Sequence, residues 1–401
     1  YFCLQIAMHI PPIQKWAGSA ASQVLHGMWD WDISIGKIRL GLWNRIIIDD
    51  IKLKDKQDST LLHASRLAAK LEIIPLLDGK ISIANAQLFG TKANLYQRSE
   101  QEKPNFQFIL DTFKSDNTES NPLNLRIGNI VLRRIDIKWD KQWMPHKEAG
   151  TFDPSHIHLK DFALTARLKV LGADTLNLSL RRLSFKEASG FELSNIAGDF
   201  SSGNNGAKIE NFKITLPHST LAIPSFMATW PDTPKDTDTK KWLGTTSWYA
   251  ETQIQLTPSD FKTLIPRLAY ANTPIELTSK IYSMEECINV PQLNLSNNGS
   301  LNLSAKLFVN DYINKPEYIV EINKLQTNSS LQHYITQELN GQSKEISPLL
   351  TRLDTINMFG RLNISDHKQY GTIHINNRLA NIDITADSYD WNKFNVSVSS
   401  S

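Results

Sequence analysis

Two cysteines in 401 residues, Cys3 and Cys287, lie far apart and cannot build a disulfide framework, so the fold must stand on its packing. Charge of one sign is missing as well. The 43 Lys and Arg against 41 Asp and Glu leave a formal net charge of +2, and no basic stripe interleaved with aromatics occurs. Nucleic acid is therefore not an expected partner. The opening run YFCLQIAMHI is apolar but too short to cross a bilayer, which takes about 20 residues. Catalytic signatures are also absent: no G-x-S-x-G, H-E-x-x-H, Walker A loop, G-x-G-x-x-G or C-x-x-C. No catalytic residue, cofactor or metal is assigned, and an enzyme is the least expected class.

What the sequence does hold is alternation. In Gly41–Tyr96, short apolar–polar runs at Ile46–Leu53, Leu67–Ile73 and Ile81–Ala86 predict strands with one greasy face, the last two joined by a turn at Leu76-Leu77-Asp78-Gly79. Asp49-Asp50 reads as a solvated turn rather than an acid–base pair, because no partner motif accompanies it. Upstream, Pro11 and Pro12 precede Ile13, Trp16, Ala17, Ala20, Ala21, Val24 and Met28 at helical spacing, which predicts an amphipathic helix stopped at Gly27. After Trp31 the period becomes strand-like, with a parity slip between Ile33/Ile35 and Ile38/Leu40. Such slips recur along the chain, and each implies a bulge or a turn.

Residues Gln97–Pro122 read as a polar loop. The alternation then resumes and is cleanest between Ile157 and Trp230, with turn signals at the spacing of antiparallel meanders. Trp230–Lys241 is a charged Pro/Thr-rich insert. A short helix is predicted from Thr257 to Ala269, capped by Ser259 or Asp260, and a second helical interval at Ser330–Leu353. His156-Ile-His158 would put two imidazoles on one strand face, but no third metal ligand lies nearby in sequence. Asn-x-Ser triplets at Asn177, Asn294, Asn302 and Asn363 fit a polar strand face written in Asn and Ser. A chain this long exceeds one ordinary core. The expected fold is mostly β: an elongated, curved antiparallel sheet forming a hydrophobic groove, with an N-terminal helix and a few short interspersed helices. Its expected divisions are 1–28 (remnant of a membrane anchor plus amphipathic helix), 29–245 and 246–401, with the β pattern continuing beyond Ser401.

The segments GLWNRIIIDDIKLKD (41–55) and LAAKLEIIPLLDGKISIANAQLFGTKANLYQ (67–97) resemble the N-terminal region of TamB-like proteins of the AsmA superfamily, in their Bacteroidota form. LRRIDIKWD (132–140), KDFALTARLK (160–169), LPHSTLAIPSFMATW (216–230) and TPSDFKTLIPRLAYANTPIELTSKI (257–281) agree with it. The resemblance implies a single N-terminal inner-membrane anchor, a periplasmic β-groove body in a Gram-negative bacterium, and phospholipid transfer between the two membranes. It also implies an Omp85-type outer-membrane assembly partner, contacted through a C-terminal region that this sequence does not contain. Phospholipid acyl chains would lie along Ile81, Ile83, Ile157, Leu159, Leu176, Leu178, Leu180, Ile214, Leu216, Leu301 and Leu303, with Phe2, Leu4, Ile6 and Trp16 near the membrane. Two alternatives stay open: a translocation and assembly factor holding β-strand clients, and a secreted β scaffold without a lipid role.

Overall fold

The computed structural model describes residues 10–41, 44–72, 82–113, 126–171, 175–231, 244–284, 286–333, 355–365, 369–378, 380–388 and 394–400. Phe2, Leu4, Ile6, Ile81, the turn at 76–79, and most of the 230–241 insert and of the 330–353 interval lie outside them. The described residues form twenty strands and few helices, the mostly-β class expected. They divide into two compact units, Tyr1–Lys169 with Leu178–Ile196, and Val170–Asn177 with Ala197–Ser401.

In the first unit, helix α1 (Pro11–Trp29) opens on two prolines, whose fixed φ suits the first turn. It runs through Gly27 and stops two residues later than the sequence suggested. There Asp30 turns left-handed (φ 55°) and its N–H closes on His26 O. The helix lies along strand β1 (Ile33–Gly41). Ser22 Oγ accepts the Ile35 N–H at 2.9 Å and donates to Gly18 O at 2.9 Å. Gly18 makes this approach possible, since a Cβ there would sit 2.8 Å from Ile35 O. A hydroxyl thus stands in for a neighbouring strand, which is one way to cover a sheet edge.

Strands β1, β2 (Arg45–Lys54), β3 (Thr60–Leu71) and β4 (Ser82–Gln97) pair antiparallel in sequence order. β4 and β5 (Arg126–Lys141) then pair parallel, from Ser82↔Arg126 to Gln97↔Lys141. A parallel pair requires a crossover, so the succession of hairpins expected from sequence breaks here. The segment read as a polar loop is that crossover, and it carries helix α2 (Gln107–Phe113). β6 (His156–Leu171) returns antiparallel to β5. β7 (Leu176–Glu187) pairs with the two-residue β8 (Glu192–Leu193).

The parity slips fall on one line across these strands. Asp50 (φ 56°), Gly90 (φ 58°) and Arg134 (φ 55°) are left-handed. Asp50 lies between Asp49, opposite Lys37 and Arg66, and Ile51, opposite Ile35 and Ala64. Gly90 lies between Phe89 and Thr91, which pair with Arg66 and Ala64, and Arg134 between their partners Arg133 and Ile135. A left-handed residue interrupts the alternation of facing, so positions three apart share a side. The face then continues across the line, apolar except at Thr91: Ile38 to Ile35, Ile48 to Ile51, Leu67 to Ala64, Leu88 to Thr91, Leu132 to Ile135.

On the opposite face, Asp49 is buried at 6% exposure inside β2, not in a solvated turn. Its carboxylate accepts from Arg39 (Nη2 2.6 Å, Nε 2.9 Å) and from Arg66 Nε (2.8 Å). Burial pushes this carboxyl up, but the hydrogen bonds from Arg66 and Arg39 outweigh it and hold it below its ordinary 3.8. Beside the pair, Ser65, Arg66, Phe89, Gly90 and Arg134 line a cavity of about 470 Å³ along the crease.

In the second unit, β9 (Asn195–Gly203) pairs with β10 (Gly206–Thr215). From there an antiparallel meander continues through β11 (Thr220–Thr229), β12 (Ser247–Leu256), β13 (Ile275–Met284), β14 (Cys287–Asn297), β15 (Leu301–Asn310), β16 (Glu317–Asn328), β17 (Thr355–Ile364), β18 (Gln369–Asn377), β19 (Ala380–Ser388) and β20 (Phe394–Ser400). Between β12 and β13 the predicted helix is two short 3-10 turns, Pro258–Phe261 and Pro266–Tyr270. Asp260 does not cap them. It accepts instead from His218 N (3.1 Å), His218 Nδ1 (2.9 Å) and Ser219 Oγ (2.6 Å), fastening the β10–β11 turn. Helix α3 (Ser329–His333) follows β16.

Two outcomes test this account. A Cβ at Gly90 would stand 2.8 Å from Ser65 Oγ on a left-handed backbone. Gly90→Ala is therefore expected to cost about 1–3 kcal/mol by thermal or urea denaturation, whereas Gly27→Ala, with no atom within 4 Å, should be neutral or mildly stabilising. Asp49→Asn should cost about 1–2 kcal/mol at neutral pH, a value discounted because Arg66 is half exposed. A lowered folded pKa gives stability that is full above the unfolded value and lost as pH falls through the folded one. The wild-type advantage should thus shrink below about pH 4 in equilibrium unfolding at stepped pH.

Candidate functional site

Directly paired residues on neighbouring strands share a face, so register converts alternation into rows. In the second unit one such row runs Ile214, Leu221, Ile254, Leu277, Leu295, Leu303, Leu325, Met358, Ile375, Ile382, from β10 to β19. All ten positions are apolar. One residue along, on the other face, the row reads Gln255, Glu276, Ser296, Asn302, Gln326, Asn357, Asn376, Asn381. All eight are polar. At about 4.8 Å between strands, the ten-strand row extends for roughly 43 Å.

None of the ten apolar residues is buried; each is partly exposed. A face packed under a second layer would hold such residues at a few per cent exposure. The row is apolar, continuous and only partly covered.

The first unit also aligns apolar residues in rows, on six strands, with Leu53 and Ala93 buried. One row is Ile38, Ile48, Leu67, Leu88, Leu132, Leu164, and beyond the crease another is Ile33, Leu53, Leu62, Ala93, Ile137, Leu159. The end beyond the second row is closed by rings. Trp31 lies edge-on to Phe108 of α2 (6.1 Å), and Phe106 edge-on to Trp139 of β5 (6.0 Å). Asn105 holds the crossover there, exchanging bonds with Tyr96 N (3.0 Å) and Asn94 O (3.0 Å). Its Nδ2 also donates to Asp55 Oδ2 (3.3 Å), a buried carboxylate that takes the Tyr96 hydroxyl at 2.7 Å. Burial raises the Asp55 carboxyl, yet the bonds from Tyr96, Ser59, Gln57 and Asn105 hold it below its ordinary value.

The residues expected to line the groove distribute unevenly. Leu159 belongs to the first unit's row, and Ile157 stands next to it opposite Trp139. Ile83 pairs with Leu71 at the start of β4. Ile214 and Leu303 belong to the ten-strand row, while Leu301 is half-buried opposite Asn297 and Thr327. Leu216 is buried at 8% beside the β10–β11 turn. Leu176, Leu178 and Leu180 are half-buried on one face of β7, with Ser179 between them buried at 1%. Trp16 is 72% exposed on α1. Sequence reasoning left out Leu221, Ile254, Leu277, Leu295, Leu325, Met358, Ile375 and Ile382. All but Leu325 lie in strands whose alternation was visible, but their alignment required the register.

His156 and His158 do not act together. His158 Nε2 meets Asp136 Oδ1 at 2.6 Å, and His158 N–H donates to Glu187 Oε1. His156 faces a different group, taken up below. Among the described residues no helix is long and apolar enough to cross a membrane. Searches against protein-family models, curated proteins and solved structures find no match to this chain.

Asn105→Ala is expected to raise amide exchange across Gln107–Phe113, measured by hydrogen–deuterium exchange, and to leave β10–β19 unchanged.

Proposed function

We propose that this chain carries phospholipid acyl chains along its apolar sheet faces, as a periplasmic lipid transfer protein of the TamB-like type working between inner and outer membrane. The observation that carries this reading is the ten-strand row of partly exposed Ile, Leu and Met. Each CH₂ of an acyl chain gains about 0.8 kcal/mol on leaving water, so an apolar strip lowers the barrier to leaving a bilayer. The strip is about 43 Å long by strand spacing, and the hydrocarbon core of a whole bilayer is about 30 Å thick. One acyl tail therefore fits with room to shift.

The composition favours an aliphatic cargo over a polar ligand. No row position offers a hydrogen-bond donor or charge that would fix one orientation, as a small-molecule pocket does. Neighbouring positions are chemically alike, so a chain moving along them exchanges one weak contact for another. The likeness of residues 41–55 and 67–97 to TamB-like proteins supports the same function and the periplasmic setting. The exposed Trp16 on α1 fits a position near a membrane interface. A face reading also fits better than strand addition at β1, because α1 occupies that edge.

The test is lipid retention. Full chain purified from a Gram-negative host without detergent should carry phospholipid in native mass spectrometry. Leu277→Lys and Leu303→Lys, each placing a charge on the row, should reduce that lipid at least fivefold while circular dichroism is unchanged. Asn302→Lys, on the polar face, should keep it. Lipid-free wild type, or equal retention in the Leu303→Lys protein, refutes the proposal.

A further inference from the structure

Strand β5 leads through Lys141–Ser155 into β6, and Lys141 N closes the base of this loop on Ser155 O at 2.9 Å. At that base, one donor nitrogen each from His146 and His156 and a carboxylate oxygen of Asp153 lie within 4.8 Å of one another. We propose that His146, Asp153 and His156 bind a divalent transition metal of the zinc class, with Asp140 orienting His156 from behind.

The chemistry of each group suits this role. The Asp153 carboxylate is fixed before any metal arrives, by Lys147 N–H (3.0 Å) and Ser155 N–H (3.0 Å). Burial pushes this carboxyl up, but those bonds and His156 bring it down to about 2. The His156 side chain is 9% exposed, with Nδ1 2.8 Å from Asp153 Oδ2. Its Nε2 faces Asp140 Oδ1 at 3.3 Å. That oxygen is shielded from solvent and has no hydrogen-bond partner among the described residues. When a metal takes Nδ1, the proton sits on Nε2, and a small turn of the ring gives Asp140 the donor it lacks. Metal-bound histidines are held by such a carboxylate behind the ring.

The ring of His146 lies 3.7 Å from that of His156, tilted by 33°. Zinc ligands at about 2.0–2.2 Å in a tetrahedron stand roughly 3.3–3.5 Å apart. Two imidazoles and one carboxylate leave a fourth position for water. The metal would staple the β5–β6 loop at its base. This inference is independent of the lipid reading, because His156 points to the face opposite Ile157.

The experiment uses the full chain with any affinity tag removed and metal stripped by EDTA. Zn²⁺ binding is followed by calorimetry, and Co²⁺ binding by its visible d–d absorption. One ion per chain is expected, with an intense Co²⁺ band of low coordination number that disappears as acid protonates the imidazoles. His146→Ala removes an exposed ligand from the loop, and should weaken Zn²⁺ at least tenfold with an essentially unchanged metal-free melting temperature. Asp140→Asn should weaken it about 10- to 100-fold, and His158→Ala should leave it unchanged. Absence of saturable Zn²⁺ and Co²⁺ binding to folded wild type, or equal affinity in His146→Ala and His156→Gln, overturns the site.

Discussion

Everything in this chain depends on keeping the hydrogen-bond register coherent from strand to strand. Side chains alternate with a period of two, so a slip of one residue in any strand would move its whole apolar set to the polar face. The second unit keeps the row intact from Ile214 to Ile382 although several ladders are irregular. β15 alternates without interruption through Leu303, Ala305, Leu307 and Val309. Its partner β14 does not, reading Leu295 and Leu293, then Val290 and Ile288. The sequence skips one residue where the ladder shifts, at Pro291-Gln292. Proline cannot donate to a ladder and tolerates such a place. Pro224 occupies the equivalent shift between β11 and β12.

The first unit meets the same demand by a different device. Its slips coincide on one line, so the strands change facing together and the β1–β5 ladders keep their count. Left-handed backbone costs about 1–2 kcal/mol at a residue with a Cβ. Glycine removes that cost at Gly90, while Asp50 and Arg134 accept it. Arg39, Asp49 and Arg66 then fasten the polar side of the crease with charge-assisted bonds.

The β content, the strand-forming runs, helix α1 and the one-sided alternation were legible because period and turn residues are local signals. The parity slip between Ile35 and Ile38 was legible as well, but not its alignment with the slips in four other strands. Asp49 was misread for the same reason. Two adjacent carboxylates look like a turn until Arg39 and Arg66, ten and seventeen residues away, are brought beside them. The parallel pairing of β4 with β5 was hidden because a crossover and a long polar loop have similar composition; only the length of Gln97–Pro122 hinted at it. Of the candidate lining residues, Leu159, Ile214 and Leu303 fall in aligned rows, whereas Leu216 at a turn alternates equally well and is buried. His156 was weighed with His158 instead of with His146 and Asp153, which escaped notice because their spacing is that of a loop fold, not of a strand or helix.

Chemical uniformity along the faces bears on what kind of binding they permit. A pocket gains specificity from a few polar groups in fixed places, and such groups hold a ligand still. The ten-strand row has none; polar residues lie one step along each strand on the other face, and on the row's own face Thr252 and Ser279 satisfy each other at 2.7 Å. Affinity for an aliphatic chain would then accumulate with length of contact rather than from any one residue. Substitution of a single Leu by Ala should matter little, and a charge should matter greatly, because a charge interrupts continuity while a smaller side chain merely thins it. A row of equivalent weak contacts has no deep minimum along its length. That is the physical requirement for cargo that slides instead of staying, and it follows from the same register that builds the sheet.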